Sequence, residues 1–233
     1  MSEMTMLKNK TKLYPLNICN YGITDYKKML KIQHQLRDDR RNEKIPNTII
    51  LVEHNPVITL GARKSANKLL FNPEYLKQKR IDIVETRRGG GITAHNPGQL
   101  VIYPIFHMGQ IKLGISEYIM LLQKIGIKLL QQLGVCSQIR KGFPGLWVGE
   151  RKIASIGVRV SRLITYHGMA VNIWNELDIF DFFVPCGLKD VEMTSVYKET
   201  GQKVDMQNVK KILSELFIKY LSSKELTTYE NCA

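Results

Sequence analysis

The 233-residue chain has only four cysteines, at positions 19, 136, 186 and 232, and no two of them form a CxxC pair. Their wide spacing argues against a zinc site and against a disulfide framework. We therefore expect no metal and no cofactor, and a reducing cytoplasm is the simplest location. Each thiol is then either inert or carries chemistry by itself.

Long apolar runs are also missing, because no stretch reaches 18 consecutive apolar residues. A membrane span is therefore not expected. The first residues, "MSEMTMLKNKTK", are polar and include Glu3, so they do not resemble a secretory signal. Hydrophobic residues still make up 44% of the chain, which is enough for a packed core.

Acidic residues are scarce, with 21 Asp and Glu against 34 Lys and Arg and a net charge of +13. Such a charge attracts acidic partners, and nucleic acid or an acidic carrier protein would qualify. The sequence contains no RNP-like aromatic motif and no helix-turn-helix signature, so a nucleic-acid-binding module is a remote alternative.

No internal repeat or low-complexity linker interrupts the chain, and hydrophobic periodicity predicts its elements. We expect a helix over 24–44 capped by Thr24 or Asp25, and a short helix over 72–79 capped by Asn72. We also expect a helix over 115–133 with Ile115 on its apolar face and Gly134 as its stop, and a last helix capped by Asp205. The predicted strands are 13–18, 47–61 (broken at Asn55-Pro56), 81–86, 99–105, 145–162 (with a turn at Gly149) and 164–174. This order predicts a mixed β-sheet packed with helices, an α+β fold. We expect one domain over 1–233, with flexible ends at 1–12 and 224–233.

The stretch "ETRRGGGITAHNPGQ" (85–99) is the densest signal. Three consecutive glycines allow a backbone to approach a ligand and to present several amides, and Arg88 could add donors. The P-loop spacing is absent, and GxGxxG fails because Ala94 stands at the last glycine. Polar residues on either side of a Pro-Gly turn make this stretch resemble a ligand wall rather than a plain turn; they are Thr93, His95, Asn96 and Gln99.

Two further stretches carry candidate chemistry. "GERKIASIGVRV" (149–160) places Lys152 at the head of a strand, and Gly157 inside that strand suggests close approach of a ligand. "FFVPCGL" (182–188) places Cys186 in a turn, where a thiol is either a small hydrophobe or a nucleophile. Taken alone, Lys152 is most simply a solvated charge, and His167 a packed or surface histidine.

Five ordered blocks carry a resemblance over residues 13–220. They are "EHNPVITLG" (53–61), "RRGGGITAHNPGQLVIYP" (87–104), "GLWVGERKIASIGVRV" (145–160), "YHGMAVNI" (166–173) and "PCGL" (185–188). The chain resembles the lipoyl(octanoyl) transferase family. It departs from the family where His-Gly-Pro-Gly becomes His95-Asn96-Pro97-Gly98. Because asparagine tolerates left-handed backbone, we expect the turn to survive.

The resemblance implies a fold like the catalytic domain of biotin and lipoate protein ligases. It assigns Cys186 as the acyl-accepting nucleophile and Lys152 as the residue that lowers the pKa of that thiol. It also assigns three substrate-contact segments, which are Arg88, Gly89, Gly90, Gly91, Ile92, Thr93, Ala94 and His95; Ser155, Ile156 and Gly157; and Gly168, Met169 and Ala170.

The implied reaction moves an octanoyl group from octanoyl-acyl carrier protein to a lysine of a lipoyl domain, the first step of protein lipoylation. The implied acceptors are the lipoyl domains of 2-oxoacid dehydrogenases and the glycine cleavage H protein. We expect a monomer with neither a nucleic-acid nor a membrane partner. An ATP-dependent lipoate or biotin protein ligase is the main alternative, although such an enzyme needs no cysteine nucleophile.

Overall fold

The computed structural model describes residues 15–184 and 191–222, and the predicted flexible ends lie outside these ranges. The strands of this part are β1 (Leu16–Thr24), β2 (Asn47–His54), β3 (Val57–Leu60), β4 (Asp82–Glu85), β5 (Thr93–His95), β6 (Gln99–Ile105), β7 (Gln138–Arg140), β8 (Phe143–Val148), β9 (Arg151–Ser161) and β10 (Ile164–Asn172). The helices are α1 (Tyr26–Arg41), α2 (Pro73–Gln78), α3 (Met108–Ile111), α4 (Ile115–Gln132), α5 (Val196–Thr200) and α6 (Met206–Ser222).

A seven-stranded mixed sheet forms the centre, in the order β1-β2-β6-β10-β9-β8-β7. The β1–β2 pair is parallel and the other pairs are antiparallel. A small sheet, β4-β3-β5, carries the glycine-rich stretch between its strands β4 and β5. The predicted mixed sheet with helices is therefore confirmed.

The central strands are buried on both faces, since every residue of β2, β6 and β10 is buried. Alternate side chains point to opposite faces. Leu100 and Ile102 of β6 pack with α4 and α6, whereas Val101 and Tyr103 pack with Met29 of α1. The same strands therefore form an apolar layer with α4 and α6 on one face of the sheet and a second layer with α1 on the other.

Helix ends follow the capping signals of the sequence. The Asp25 carboxylate accepts a hydrogen bond from the Lys28 N–H at 2.7 Å, and Asn72 caps α2, with proline in its first turn. Asp205 accepts hydrogen bonds at the start of α6, and Gly134 has φ +79° just after α4. The predicted caps and the Gly134 stop are confirmed.

Some predicted boundaries are wrong. The first strand begins at Leu16 and runs to Thr24, because it continues through an irregularity between Asn20 and Ile23. Ile115, expected on the apolar face of α4, is 57% exposed at the first turn, which projects beyond the core. The short elements β5, β7, α3 and α5 were not predicted, because three to five residues carry little periodicity.

In the described ranges no helix combines the length and the apolarity needed to cross a bilayer.

Candidate active site

A cavity of about 460 Å³ lies on the α1 side of the large sheet, a size typical of small-ligand sites. Its walls come from both sheets, through β6, β9 and β10 on one side and β5 with the glycine loop (88–92) on the other. Residues 142–144, at the β7–β8 turn, lie at its rim. The two sheets thus enclose a single space between them.

The cavity brings together nearly all of the residues that the sequence singled out. Those that line it are Arg88, Gly89, Gly90, Gly91, Ile92, Thr93, His95, Lys152, Ser155, Ile156, Gly157, Gly168, Met169 and Ala170. Ala94 does not line it, because alternation on β5 turns this fully buried side chain into the core beside Ile58 and Leu76. Cys186 lies outside the described residues.

The glycine loop is held in place by its backbone. Gly89 N–H donates to Val158 O of β9 at 2.9 Å, and Arg63 N–H donates to Gly90 O at 3.0 Å. Gly90 has φ +83°, which glycine adopts without strain. The Gly89 amide is therefore engaged within the protein. The Ile92 N–H likewise donates to Ala66 O at 3.4 Å, so these backbone hydrogen bonds hold the loop against the cavity.

Gly157 is required by protein backbone. A Cβ at this position would lie 2.8 Å from Gly89 O and 3.3 Å from Cδ of Arg88. The close approach predicted for a ligand is therefore made by the glycine loop itself. Gly157 lets that loop pack onto β9.

Arg88 is buried and anchors the loop to the small sheet. Its guanidinium donates to Thr59 Oγ1 at 2.8 Å, to Thr59 O at 2.7 Å and to Gly89 O at 3.2 Å. The fork of donors that the sequence suggested for a ligand is thus largely used inside the protein. Its positive charge still reaches the cavity.

The polar residues after the loop divide into two groups. Thr93 and His95 line the cavity, whereas Asn96 and Gln99 do not. Asn96 donates to Glu176 O at 2.8 Å, and the left-handed residue of the turn is Gly98, with φ +89°. The turn therefore does not depend on a left-handed asparagine. The Asn96 side chain instead holds the turn against Glu176 through this hydrogen bond.

Lys152 lies in β9, is 2% exposed and lines the cavity, so it is not the solvated charge expected from its residue type alone. Its Nζ lies 5.4 Å from the centre of the Trp147 ring. Its backbone N–H donates to Glu192 O at 2.8 Å, and its carbonyl accepts from Thr194 N–H at 2.9 Å. Two backbone hydrogen bonds therefore fix the orientation of Lys152.

The chain on either side of residues 185–190 is anchored near the cavity. Val184 N–H donates to Lys68 O at 3.0 Å on the near side, and Glu192 pairs with Lys152 on the far side. Of the other thiols, Cys19 and Cys136 are free, and neither lines the cavity. The role of Cys186 stays a prediction.

Buried histidines and tyrosines close the end of the cavity beneath α1. His54 Nδ1 lies 2.8 Å from Thr24 O, a carbonyl that can only accept, so Nε2 accepts from the Tyr103 hydroxyl at 2.8 Å. His95 Nδ1 contacts Gln99 Oε1 at 2.7 Å, and its ring stacks on Tyr26. This end is a hydrogen-bonded, largely uncharged wall.

Burial sets the protonation of this wall. It lowers the pKa of His54 to about 4 and holds the pKa of His95 well below its usual range. It also raises the pKa of Tyr26 to about 12. These groups therefore stay neutral near pH 7.

The cationic lining residues are Arg63, Arg88 and Lys152, and no carboxylate lines the part of the cavity that the structure describes. Such a site stabilises a thiolate or a developing oxyanion. Within the same described ranges, no cluster of three His, Cys, Asp or Glu side chains could hold a metal ion.

Sequence reasoning missed three prominent lining residues. Tyr26 is the first residue of α1, Tyr103 shares a face of β6 with Val101, and His167 is 1% exposed within β10. Alternation along β6 could have suggested Tyr103. Nothing local could have distinguished Tyr26 or His167 from packed residues.

Comparison with known proteins agrees with this geometry. The sequence model of one protein family, the lipoyl protein ligase A/B catalytic domain, matches residues 25–218. The chain therefore belongs to this family. The octanoyltransferase of Koribacter versatilis is 35% identical over 87% of this chain and 82% of its own, and that of Desulfovibrio desulfuricans is 41% identical over 72% of each. Within the family, the chain is therefore a member of the lipoyl(octanoyl) transferases, which are acyltransferases.

Solved structures show the same fold. Lipoate-bound LipL1 of P. falciparum has a TM-score of 0.70 at 13% identity, over 88% of this chain and 62% of that longer chain. Biotin protein ligase of Aquifex aeolicus, with biotin and ATP, has a TM-score of 0.50 at 14% identity, over 90% and 73%. The predicted biotin and lipoate ligase-like fold is confirmed.

Proposed function

We propose that the protein moves an octanoyl group from octanoyl-acyl carrier protein to a lysine of a lipoyl domain through a thioester on Cys186. The observation that carries this proposal is the cavity, in which buried Lys152 faces the same space as the glycine loop and the β9 and β10 segments. The octanoyltransferase relatives support the choice of acyl group.

The chemistry takes two balanced steps. The Cys186 thiolate attacks the donor carbonyl, a new C–S bond forms, and the carrier thiolate leaves and is protonated. The acceptor lysine then attacks the acyl-enzyme, an amide forms, the amine loses a proton and the Cys186 thiolate is released. Each step starts from an activated thioester, so no nucleotide is consumed.

Lys152 would supply the positive charge for both steps. An ordinary thiol, with a pKa of about 8.5, is mostly protonated at neutral pH, and a nearby cation lowers that pKa. Backbone amides beside Cys186 could hold the oxyanion. No carboxylate lines the part of the cavity that the structure describes, which supports this role for Lys152.

The experiment for this function is intact mass spectrometry after mixing with octanoyl-carrier thioester. We expect one octanoyl adduct on Cys186 and none on Cys186→Ser. Adducts on Cys19, Cys136 or Cys232 would refute the assignment. Matched Cys19→Ser and Cys136→Ser variants should still form the adduct.

The ATP-dependent ligase is the second candidate, because solved relatives in fold bind lipoate or ATP. Octanoyl transfer is therefore assayed without nucleotide and with a chelator present. Full activity from the thioester supports the transferase, whereas attachment of free octanoate that requires ATP and a divalent cation, with no transfer from the thioester, would favour the ligase.

We also propose that an acidic carrier docks through the net charge of +13. At 0.15 M ionic strength the screening length is about 8 Å, so only charges near the docking surface contribute. The KM for the carrier substrate should rise with salt, while that for a small octanoyl thioester changes less. An equal response of both substrates would exclude this docking mode.

We propose the cytoplasm as the site of action and a monomer as the active form.

A further inference from the structure

His167 combines three unusual properties. It lines the cavity and is 1% exposed, and neither ring nitrogen has a hydrogen-bond partner among the residues that the structure describes. It also has φ +56°, a conformation uncommon for residues other than glycine. Buried polar atoms are nearly always bonded, so this ring has unused hydrogen-bonding capacity facing the cavity.

Gln33 of α1 holds this residue in place. Its Oε1 accepts a hydrogen bond from the His167 backbone N–H at 2.9 Å, and its side chain is fully buried. Gln33 Nε2 likewise has no partner within the described ranges. The strained backbone of β10 is therefore fixed from a neighbouring helix, as at sites where strain serves function.

The ring is neutral under ordinary conditions. Burial lowers the pKa of His167 to about 3, and the positive charges of Arg88, His34 and Arg159 act in the same direction. The rings of Tyr103 and Tyr166 flank it at 6.4 Å and 4.8 Å. A neutral imidazole offers one donor and one acceptor, which suits an uncharged polar group.

His167 lies at the opposite end of the cavity from Lys152. The β9–β10 register pairs His167 with Val158, six residues along β9 from Lys152, which corresponds to about 20 Å of strand. The glycine loop crosses this end, since Gly89 N–H bonds Val158 O. An acyl chain with its carbonyl at Lys152 would extend under the loop towards His167.

We propose that His167 is a specificity-determining residue, whose imidazole forms a polar end to the acyl pocket and hydrogen-bonds an uncharged hydroxyl-type group there. This inference rests on the proposed function, because that function places the acyl carbonyl at Lys152. A methyl group that reached the ring would leave both nitrogens buried and unbonded, which is unfavourable. A terminal hydroxyl of the same length would bond to them, so His167 limits how far an unsubstituted chain can extend.

The test uses pairs of acids that match in length. They are 6-hydroxyhexanoate with heptanoate, 8-hydroxyoctanoate with nonanoate, and 10-hydroxydecanoate with undecanoate. Calorimetry measures both affinities in native protein, His167→Phe and the control His34→Phe. Because the two acids bind the same protein preparation, partial unfolding cancels from the affinity ratio.

At the chain length that reaches the ring, the hydroxyl-to-methyl affinity ratio should fall about tenfold or more in His167→Phe. The ratio should stay unchanged in His34→Phe, since His34 does not line the cavity. His167→Asn, which tolerates the left-handed backbone, should retain part of the preference. Equal ratios in native protein and His167→Phe at all three lengths would overturn the proposal. Octanoyl transfer, measured in parallel, tests the proposed function separately.

Discussion

The two faces of the seven-stranded sheet are made by the same strands, but one face packs into the core and the other borders the cavity. On the α4 and α6 face, residues such as Leu100, Ile102 and Val171 pack into one apolar core. On the α1 face, the same strands present small or polar residues to the cavity, such as Gly168, Ala170 and Tyr103. Alternation therefore gives most of each strand one core-facing and one cavity-facing set of residues, while Met169 belongs to the core and also lines the cavity.

The largest effect is expected for Lys152→Met on the cavity face. This change keeps most of the side-chain volume and removes the charge, so the pKa of the Cys186 thiol should rise. Octanoyl transfer should fall by about 10²-fold to 10⁴-fold, with little change in Tm. Iodoacetamide alkylation across pH, followed at Cys186 by peptide mass spectrometry, reports the thiol pKa.

The matched control is Lys128→Met on α4, whose ammonium group contacts Gln131 Oε1 at 3.4 Å and does not line the cavity. An unchanged Cys186 pKa in Lys152→Met would remove the role given to Lys152. A loss of transfer in both variants would indicate a general effect of charge.

A substitution on the core face should show the opposite profile. Leu129 of α4 is fully buried in the apolar core, so Leu129→Ala should lower the free energy of unfolding by about 2–5 kcal/mol. Transfer per folded molecule should remain near the native value at low temperature. Urea unfolding and an active-site titration measure the two quantities. A change in turnover comparable to that of Lys152→Met would show that the two faces are coupled.

The buried histidines give the cavity face a pH dependence that the core face lacks. Because the folded-state pKa of His54 is depressed to about 4 from 6.5, the unfolded chain binds a proton that the folded protein does not. Stability is full above pH 6.5 and is lost as the pH falls towards 4. His54 should account for about 2 kcal/mol of that loss at pH 5.

His54→Gln offers a donor and an acceptor in place of the ring and does not titrate. Urea unfolding measures the free energy of unfolding between pH 7 and pH 5. In this variant its slope against pH should correspond to about one fewer proton bound on unfolding than in native protein. Identical dependences in the two proteins would mean that His54 is already neutral in the unfolded chain or charged in the folded one.

The smallest effect is expected for Gly157→Ala, which tests the packing of the glycine loop. The added Cβ would meet Gly89 O at 2.8 Å, so the loop must shift away from β9. Transfer should fall about tenfold, since displaced positioning groups cost this much or more. Gly22→Ala, with no atom within 4 Å of the added Cβ, is the control and should behave like native protein. Native activity in Gly157→Ala would show that the loop position is not critical.

Local sequence signals predicted the helix ends and two of the segments that line the cavity. Asp25, Asn72 and Asp205 could be recognised as caps because a cap depends on neighbours three residues away. The glycine loop and the Lys152 strand were found because their residue types are unusual where they stand. Within the substrate-contact block, Ala94 does not line the cavity, because alternation along β5 turns its side chain into the apolar core.

The remainder depends on contacts that are distant in sequence. Gly157 is explained by Gly89, 68 residues away, and His167 is fixed by Gln33, 134 residues away. Neither partner can be read from the local pattern. The uncharged wall of His54, His95 and Tyr103 likewise appears only when three strands are assembled.

The two backbone hydrogen bonds that join Lys152 to residues 192 and 194 have a consequence for protein engineering. They set the register of this contact, and a strand that slips by one residue turns every side chain to the other face. Deleting Met193 would therefore strain or shift β9 at this contact. At that position Lys152 faces the cavity and Ile153 faces the core. Designs that redirect the enzyme should keep residues 192–194 at constant length and vary the side chains of the cavity instead.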